Sequence, residues 1–245
     1  MKSDAGRPLA VITGGSRGIG RAFVIEAARR GFDVVFSYRS READAAKTCE
    51  LAQDLDGEAI SVRADLERFE ELQKVVDAAH ARGQVSLLVN NAGIGEEFTL
   101  EQLTREGWER SIAINLTAPA FLAKELKADL VSRRGAILNV SSDGGVAGSL
   151  HGAPYGATKA GLIGLTKTLA RELAPHVRCN AIAPGPVATD MWFAIDPAVQ
   201  EQVMEREMPL KRIAQPEDIA RAGLDISSWP DASGIVVLLD GGRIM

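Results

Sequence analysis

The segment Thr13-Gly14-Gly15-Ser16-Arg17-Gly18-Ile19-Gly20 follows an apolar run at 9–12 and opens a helical pattern over about 21–30. A strand that turns through glycines into a helix restricts what can surround it. Glycine adopts positive φ and has no Cβ, so the backbone can approach a ligand closely. The helix start adds unpaired N–H groups and the positive end of a dipole. Together they make a seat for a pyrophosphate at the edge of a parallel sheet. Spaced glycines are also common in ordinary turns, so the weight of this motif depends on the rest of the chain.

The rest of the chain alternates short apolar runs with longer helical patterns. Strand candidates fall at 9–12, 34–36, 59–62, 87–89, 136–140, 177–182 and 235–239. They are rich in Val, Ile and Leu, and most lack polar alternation, as expected for strands covered on both faces. Helical patterns fill about 43–54, 67–81, 108–133 and 155–174. Strand-helix alternation with right-handed crossovers predicts an α/β fold, a doubly wound seven-stranded parallel sheet with helices on both faces. No repeat, low-complexity stretch or long linker divides the 245 residues, so one domain over 1–245 is expected. A proline-punctuated interruption at about 186–214 has the length of a substrate lid.

Composition narrows the partners. The net charge of -5 comes without a basic block, which argues against nucleic acid or an anionic membrane. No apolar run reaches membrane-spanning length, and residues 1–8 lack the apolar core of a secretion signal, so a cytoplasmic protein is expected. Cys49 and Cys179 and the three histidines show no metal-ligand spacing, and no metal is expected.

Ligands bind beyond the carboxyl ends of the strands in such sheets. Asn90-Asn91-Ala92-Gly93, Ser141-Ser142 and Pro184-Gly185-Pro186-Val187-Ala188-Thr189 all fall there. Each alone is ordinary turn chemistry; their shared edge is the signal. Tyr155 and Lys159, four apart in a helical pattern, share a helix face. An ammonium beside a phenol favours the phenolate, so Tyr155 is expected to have a lowered pKa and to pass a proton to or from a substrate oxygen.

In these motifs the chain resembles the short-chain dehydrogenase/reductase family over essentially its whole length, including Asn115 and the closing Asp240-Gly241-Gly242. Within the family it is most similar to the 3-oxoacyl-[acyl-carrier-protein] reductase-like branch, through Met208-Pro209-Leu210-Lys211-Arg212-Ile213 and Pro216-Glu217-Asp218-Ile219-Ala220. The resemblance implies a Rossmann fold. It implies Tyr155 as general acid/base, Lys159 as the residue that lowers its pKa and holds the nicotinamide ribose, Ser142 as the group orienting the carbonyl, and Asn115 as anchor of a relay water. For Asn115, a helix-interior asparagine bonding backbone is a compatible reading. The implied cofactor-binding set is Gly14, Ser16, Arg17, Gly18, Ile19, Gly20, Tyr38, Arg39, Asp65, Leu66, Asn91, Ala92, Gly93, Tyr155, Lys159, Pro184, Gly185, Val187 and Thr189. Asp65 reads equally well as a helix cap.

A carboxylate at the end of the second strand would bind the adenosine ribose of NAD. Tyr38 stands there, with Arg39 and Arg41 beside it and Arg17 in the glycine loop. Guanidinium forks suit a phosphate, so NADP(H) is expected over NAD(H). The substrate side is assigned to Ser142, His151, Tyr155 and Trp192, with Val187, Met191 and Phe193 nearby. The pair Trp192-Phe193 either lines an apolar pocket or pins the lid to the core. The implied reaction is reduction of a 3-oxoacyl thioester or similar small ketone. Oxidation of a sugar or secondary alcohol is the alternative, and a non-catalytic NADPH-binding protein has no need of the acid/base set. The resemblance suggests a homotetramer, with a dimer open. Before Gly234 the chain is a few residues shorter than the family pattern, a change expected at the approach to the last strand or at a subunit contact.

Overall fold

The computed structural model describes residues 6–95, 99–149 and 151–244. β1 (Leu9–Ile12) leads through the glycine loop into α1 (Gly18–Arg29), then β2 (Asp33–Tyr38), α2 (Glu42–Ala52), β3 (Ala59–Arg63), α3 (Leu72–His80) and β4 (Val85–Asn90). There follow α4 (Arg105–Ile112), α5 (Ala118–Glu125), α6 (Lys127–Ser132), β5 (Ala136–Val140), the short α7 (Gly144–Ala147), α8 (Ala153–Glu172) and β6 (Arg178–Pro184). α9 (Asp190–Phe193), α10 (Pro197–Gln202), α11 (Pro216–Ser228) and β7 (Val236–Leu239) complete the chain. All seven strands are parallel, in the order β3-β2-β1-β4-β5-β6-β7.

Period-two alternation divides the core. Ala10 and Ile12 of β1 face a cluster with Phe23, Ala27, Ala45, Ile219 and Leu224. Leu9 and Val11 face another with Val75, Val76, Leu122, Leu130 and Ala170. Each face of the sheet is thus roofed by helices, which is why the strands read as continuous apolar runs. Buried asparagines interrupt this apolar interior. Asn90 and Asn139 are register partners on β4 and β5, and Asn90 Nδ2 donates to Asn139 Oδ1 at 2.8 Å. Asn139 Nδ2 donates in turn to Thr166 Oγ1 at 2.8 Å.

The order reverses between β1 and β4, and the crevice at their carboxyl ends is the natural ligand position. The helix expected over 108–133 is three helices. A π-helical segment, Ala113–Thr117, separates α4 from α5, and Leu126 breaks the path before α6. The helix expected from 67 starts only at Leu72, after a 3₁₀ turn, Phe69–Glu71. Residues 186–214 form an excursion closed at its base, where Ala188 N donates to Ala214 O at 2.9 Å and Ala214 N to Pro186 O at 3.0 Å. It carries α9, α10 and a π-helical segment, Val203–Glu207. The short approach to β7 is fastened to β6, with Asn180 Nδ2 donating to Ala232 O at 2.7 Å and Gly234 N to Cys179 O at 2.7 Å. Among the described residues, no helix is long and apolar enough to cross a membrane, and no cluster of three His, Cys, Asp or Glu side chains could hold a metal.

Candidate active site

One cavity of about 830 Å³ runs along the carboxyl edge of the sheet. At its centre the glycine loop crosses from β1 to α1. Gly14 and Gly18 have φ of +70° and +53°, and a Cβ on Gly20 would lie 2.0 Å from Gly14 O. The loop is held from the next strand. Thr13 Oγ1 accepts from Asn91 N at 3.0 Å and Ala92 N at 2.9 Å, and Asn91 Nδ2 donates to Thr13 O at 2.9 Å. α1 has no side-chain cap and no acid in its first turn, so its N–H groups and dipole face the cavity uncompensated. A cradle of this shape suits a pyrophosphate.

At one end the cavity is basic, lined by Arg17, Tyr38, Arg39 and Arg41 with no carboxylate at the end of β2. Asp190, at the start of α9, pairs with Arg17 and lies 3.6 Å from Arg41. Asp65 and Leu66 line the same end. Asp65 closes a local turn, its Oδ1 accepting from Glu67 N at 3.2 Å, and it does not cap α3.

At the other end α8 presents Tyr155 and Lys159. Lys159, 4% exposed, donates from Nζ to Val140 O at 2.8 Å and lies 5.5 Å from the Tyr155 ring centre. A Cβ on Gly93 would come within 3.2 Å of that ammonium, a tight approach that the lysine end would have to yield to. Ser142 follows β5. Its hydroxyl donates to Asp143 Oδ1 at 3.0 Å, accepts from Gly144 N at 3.1 Å, and shares a hydrogen bond with the Tyr155 phenol. His151 packs edge-on against Tyr155 with centroids 5.2 Å apart. Asn115 sits in the π-helical segment. It accepts from Ile94 N at 2.9 Å and donates to Ile94 O and Thr158 Oγ1, each at 3.0 Å. Its side chain thereby joins the loop after β4 to α8, and it stands behind the cavity wall instead of lining it.

The expected lowering of the Tyr155 pKa is not found. Burial pushes it up to about 12; the Ser142 hydrogen bond works against this and the Asp143 charge adds to it. Burial likewise pushes Lys159 down to about 8. Loss of water outweighs the attraction that the four-residue spacing suggests.

A family model described as short chain dehydrogenase matches residues 8–200. The chain belongs to the short-chain dehydrogenase/reductase family. It is 34% identical to the 3-oxoacyl-[acyl-carrier-protein] reductase FabG of Staphylococcus epidermidis, covering 96% of this chain and 98% of that one. It is 37% identical to carbonyl reductase family member 4 of Danio rerio, covering 96% and 97%. Among solved structures, a short chain dehydrogenase from Burkholderia cenocepacia in complex with NADP superposes with a TM-score of 0.89 at 30% identity, covering 96% and 97%.

In this short-chain dehydrogenase/reductase, every expected cofactor residue lines the one cavity, as do Ser142, His151 and Trp192. Trp192 lines the cavity, and the cluster it joins with Val203 and Met208 lies wholly within the 186–214 excursion, so it packs the lid on itself and does not pin it to the sheet core. Phe193 does neither; it is 62% exposed and points away. Ile195, Val199 and Val203 extend the apolar wall beyond the residues the sequence suggested. Asp143 and Arg243 were also missed. Asp143 adjoins the Ser142 position, but Arg243 comes from the chain's far end, and only the fold brings it to this cavity.

Proposed function

We propose that this protein is an NADPH-dependent carbonyl reductase acting on a 3-oxoacyl thioester or a similar small ketone. The observation that carries the reading is the meeting of Ser142, Tyr155 and Lys159 in the same cavity as the glycine loop. When bound, the reduced nicotinamide supplies the hydride. A phenol held near 12 stays protonated at neutral pH, as a general acid for carbonyl reduction must. Tyr155 gives that proton to the carbonyl oxygen, and the Ser142 hydroxyl orients the oxygen. Lys159 places a positive charge beside the reacting end. Asn115 holds the loop after β4 against α8.

Arg17, Arg39 and Arg41, without a carboxylate at Tyr38, support NADP(H) over NAD(H), and the NADP complex of the Burkholderia relative agrees. Residues 186–214 serve as the substrate lid. The apolar wall of Trp192, Ile195, Val199 and Val203 suits an acyl chain better than a sugar. Ala157, Ala160 and Gly164 form an exposed small-residue stripe on α8, which supports close packing of subunits in a cytoplasmic homotetramer. The test is consumption of NADPH with an acetoacetyl thioester. Rapid loss of reduced-nicotinamide absorbance is expected. Firm NADPH binding with no turnover across thioesters and small ketones would refute the reading.

A further inference from the structure

Arg243 is the last charged residue of the chain, and its side chain is only 18% exposed. Its guanidinium lies between two carboxylates. Nη1 donates to Asp143 Oδ2 at 2.8 Å, while Nε and Nη2 donate to Glu207 Oε2 at 2.8 and 2.6 Å. Asp143 uses its other oxygen, Oδ1, to accept from the Ser142 hydroxyl at 3.0 Å and from Gly144 N at 2.6 Å. The chain of contacts therefore runs from Glu207, at the end of the π-helical segment in the 186–214 excursion, through Arg243 and Asp143 to Ser142 and the Tyr155 phenol. Arg243 itself lines the cavity.

We propose that Arg243 is a positioning residue of the reaction: it holds the Asp143 carboxylate against the Ser142 hydroxyl and neutralises that carboxylate beside Tyr155. The proposal rests on the reading of Tyr155 as proton donor. The physical argument is one of charge. A bare carboxylate next to a phenol opposes phenolate formation, and phenolate is what Tyr155 becomes on giving up its proton. Asp143 adds to the upward push on Tyr155. Arg243 supplies the compensating charge. Burial works against its own ionisation, but the bonds to Glu207 and Asp143 more than offset this, so its pKa stands above the ordinary arginine value. The other charged or titratable side chains found against the phenol, Lys159 and His151, remain unchanged in every comparison below.

The chain has only two tyrosines, Tyr38 and Tyr155, which makes a direct test possible. Phenolate absorbance is read within milliseconds of a rapid alkaline pH jump of the protein saturated with NADP⁺, before the chain unfolds or the nucleotide decomposes, and the trace of the matching Tyr155→Phe variant is subtracted. The remaining transition is that of Tyr155 and needs no substrate. Arg243→Gln should move its midpoint up by about one pH unit, and Asp143→Asn should move it down by about as much. The Asp143→Asn/Arg243→Gln pair should return it toward the parent. NADP⁺ binding, followed in the same samples, reports folding. An unmoved midpoint in Arg243→Gln, movement of both single variants in one direction, or a double variant that fails to restore the parent value would each overturn the proposal. If Arg243→Gln does not fold, Arg243→Met is titrated in its place, with the same upward shift expected and an unmoved midpoint overturning the proposal. Failure to reduce any ketone would count against the carbonyl reductase reading and leave this titration standing.

Discussion

Replacing Lys159 with Met should stabilise the cofactor-free protein while removing its activity. Depression of this lysine from 10.5 to about 8 by burial means that at neutral pH the folded state carries a charge it holds unfavourably. The difference corresponds to about 3 kcal/mol. Methionine fills similar space without that charge and loses the bond to Val140 O, which contributes about 1 kcal/mol. The net expectation is a gain of about 2 kcal/mol at neutral pH. Between about 8 and 10.5 the folded protein has released the lysine proton and the unfolded chain has kept it, so the Lys159 contribution to stability rises with pH through that window, while the Cys179 thiol, pushed up to about 12 by burial, opposes it equally in parent and variant and cancels from their difference. The advantage of Lys159→Met should therefore narrow by about 2 kcal/mol between about pH 7 and about pH 9.5. Tyr155 contributes the opposite slope, since its raised value favours the folded state until the unfolded phenol ionises near 10. Measurements that stop short of pH 10 avoid it. The assay is urea unfolding of both proteins at the two pH values and one protein concentration. A variant less stable at neutral pH, or a gap that does not narrow, would refute the burial argument.

Tyr155→Phe should bind NADPH with parental affinity by fluorescence titration and lose turnover by about 10²–10⁴-fold; retained turnover would remove Tyr155 from the proton-donor role. Arg39→Ala should raise KM for NADPH much more than KM for NADH in steady-state kinetics, and equal losses would show that the guanidinium does not read the phosphate.

Much of the site was legible because its parts are local in sequence. The glycine loop, Asn91-Ala92-Gly93, Ser142 and the Tyr155–Lys159 pair each lie within a few residues of a strand end or on one helix face, so spacing alone predicts where they stand. What was not legible depends on distance or on burial. Arg243 meets Asp143 across 100 positions, and nothing in the final residues announces it. The direction of the Tyr155 shift was misjudged because sequence supplies the neighbouring charge but not the loss of water. The π-helical segment was invisible for a similar reason. Its composition continues the pattern of α4, and the contacts of Asn115 with Ile94 and Thr158 come from both sides of it only after folding. Phe193 shows the limit of adjacency, since one residue past Trp192 the helix turns its side chain to solvent.

The Asn90–Asn139 bond gives the sheet a gauge. The groups of the proposed reaction follow separate strands, with Asn91 to Gly93 after β4 and Ser142 after β5. An offset between those two strands is therefore an offset between cofactor seat and proton machinery. Apolar strands slide past one another with little to mark the step, whereas a paired amide at a single level has only one partner at the right height. Moving β5 by one residue would displace Ser142 by about 3.3 Å, as much as a whole hydrogen bond, and would turn its apolar side chains to the wrong face. Two buried polar side chains thus calibrate the alignment that the proposed carbonyl reduction requires.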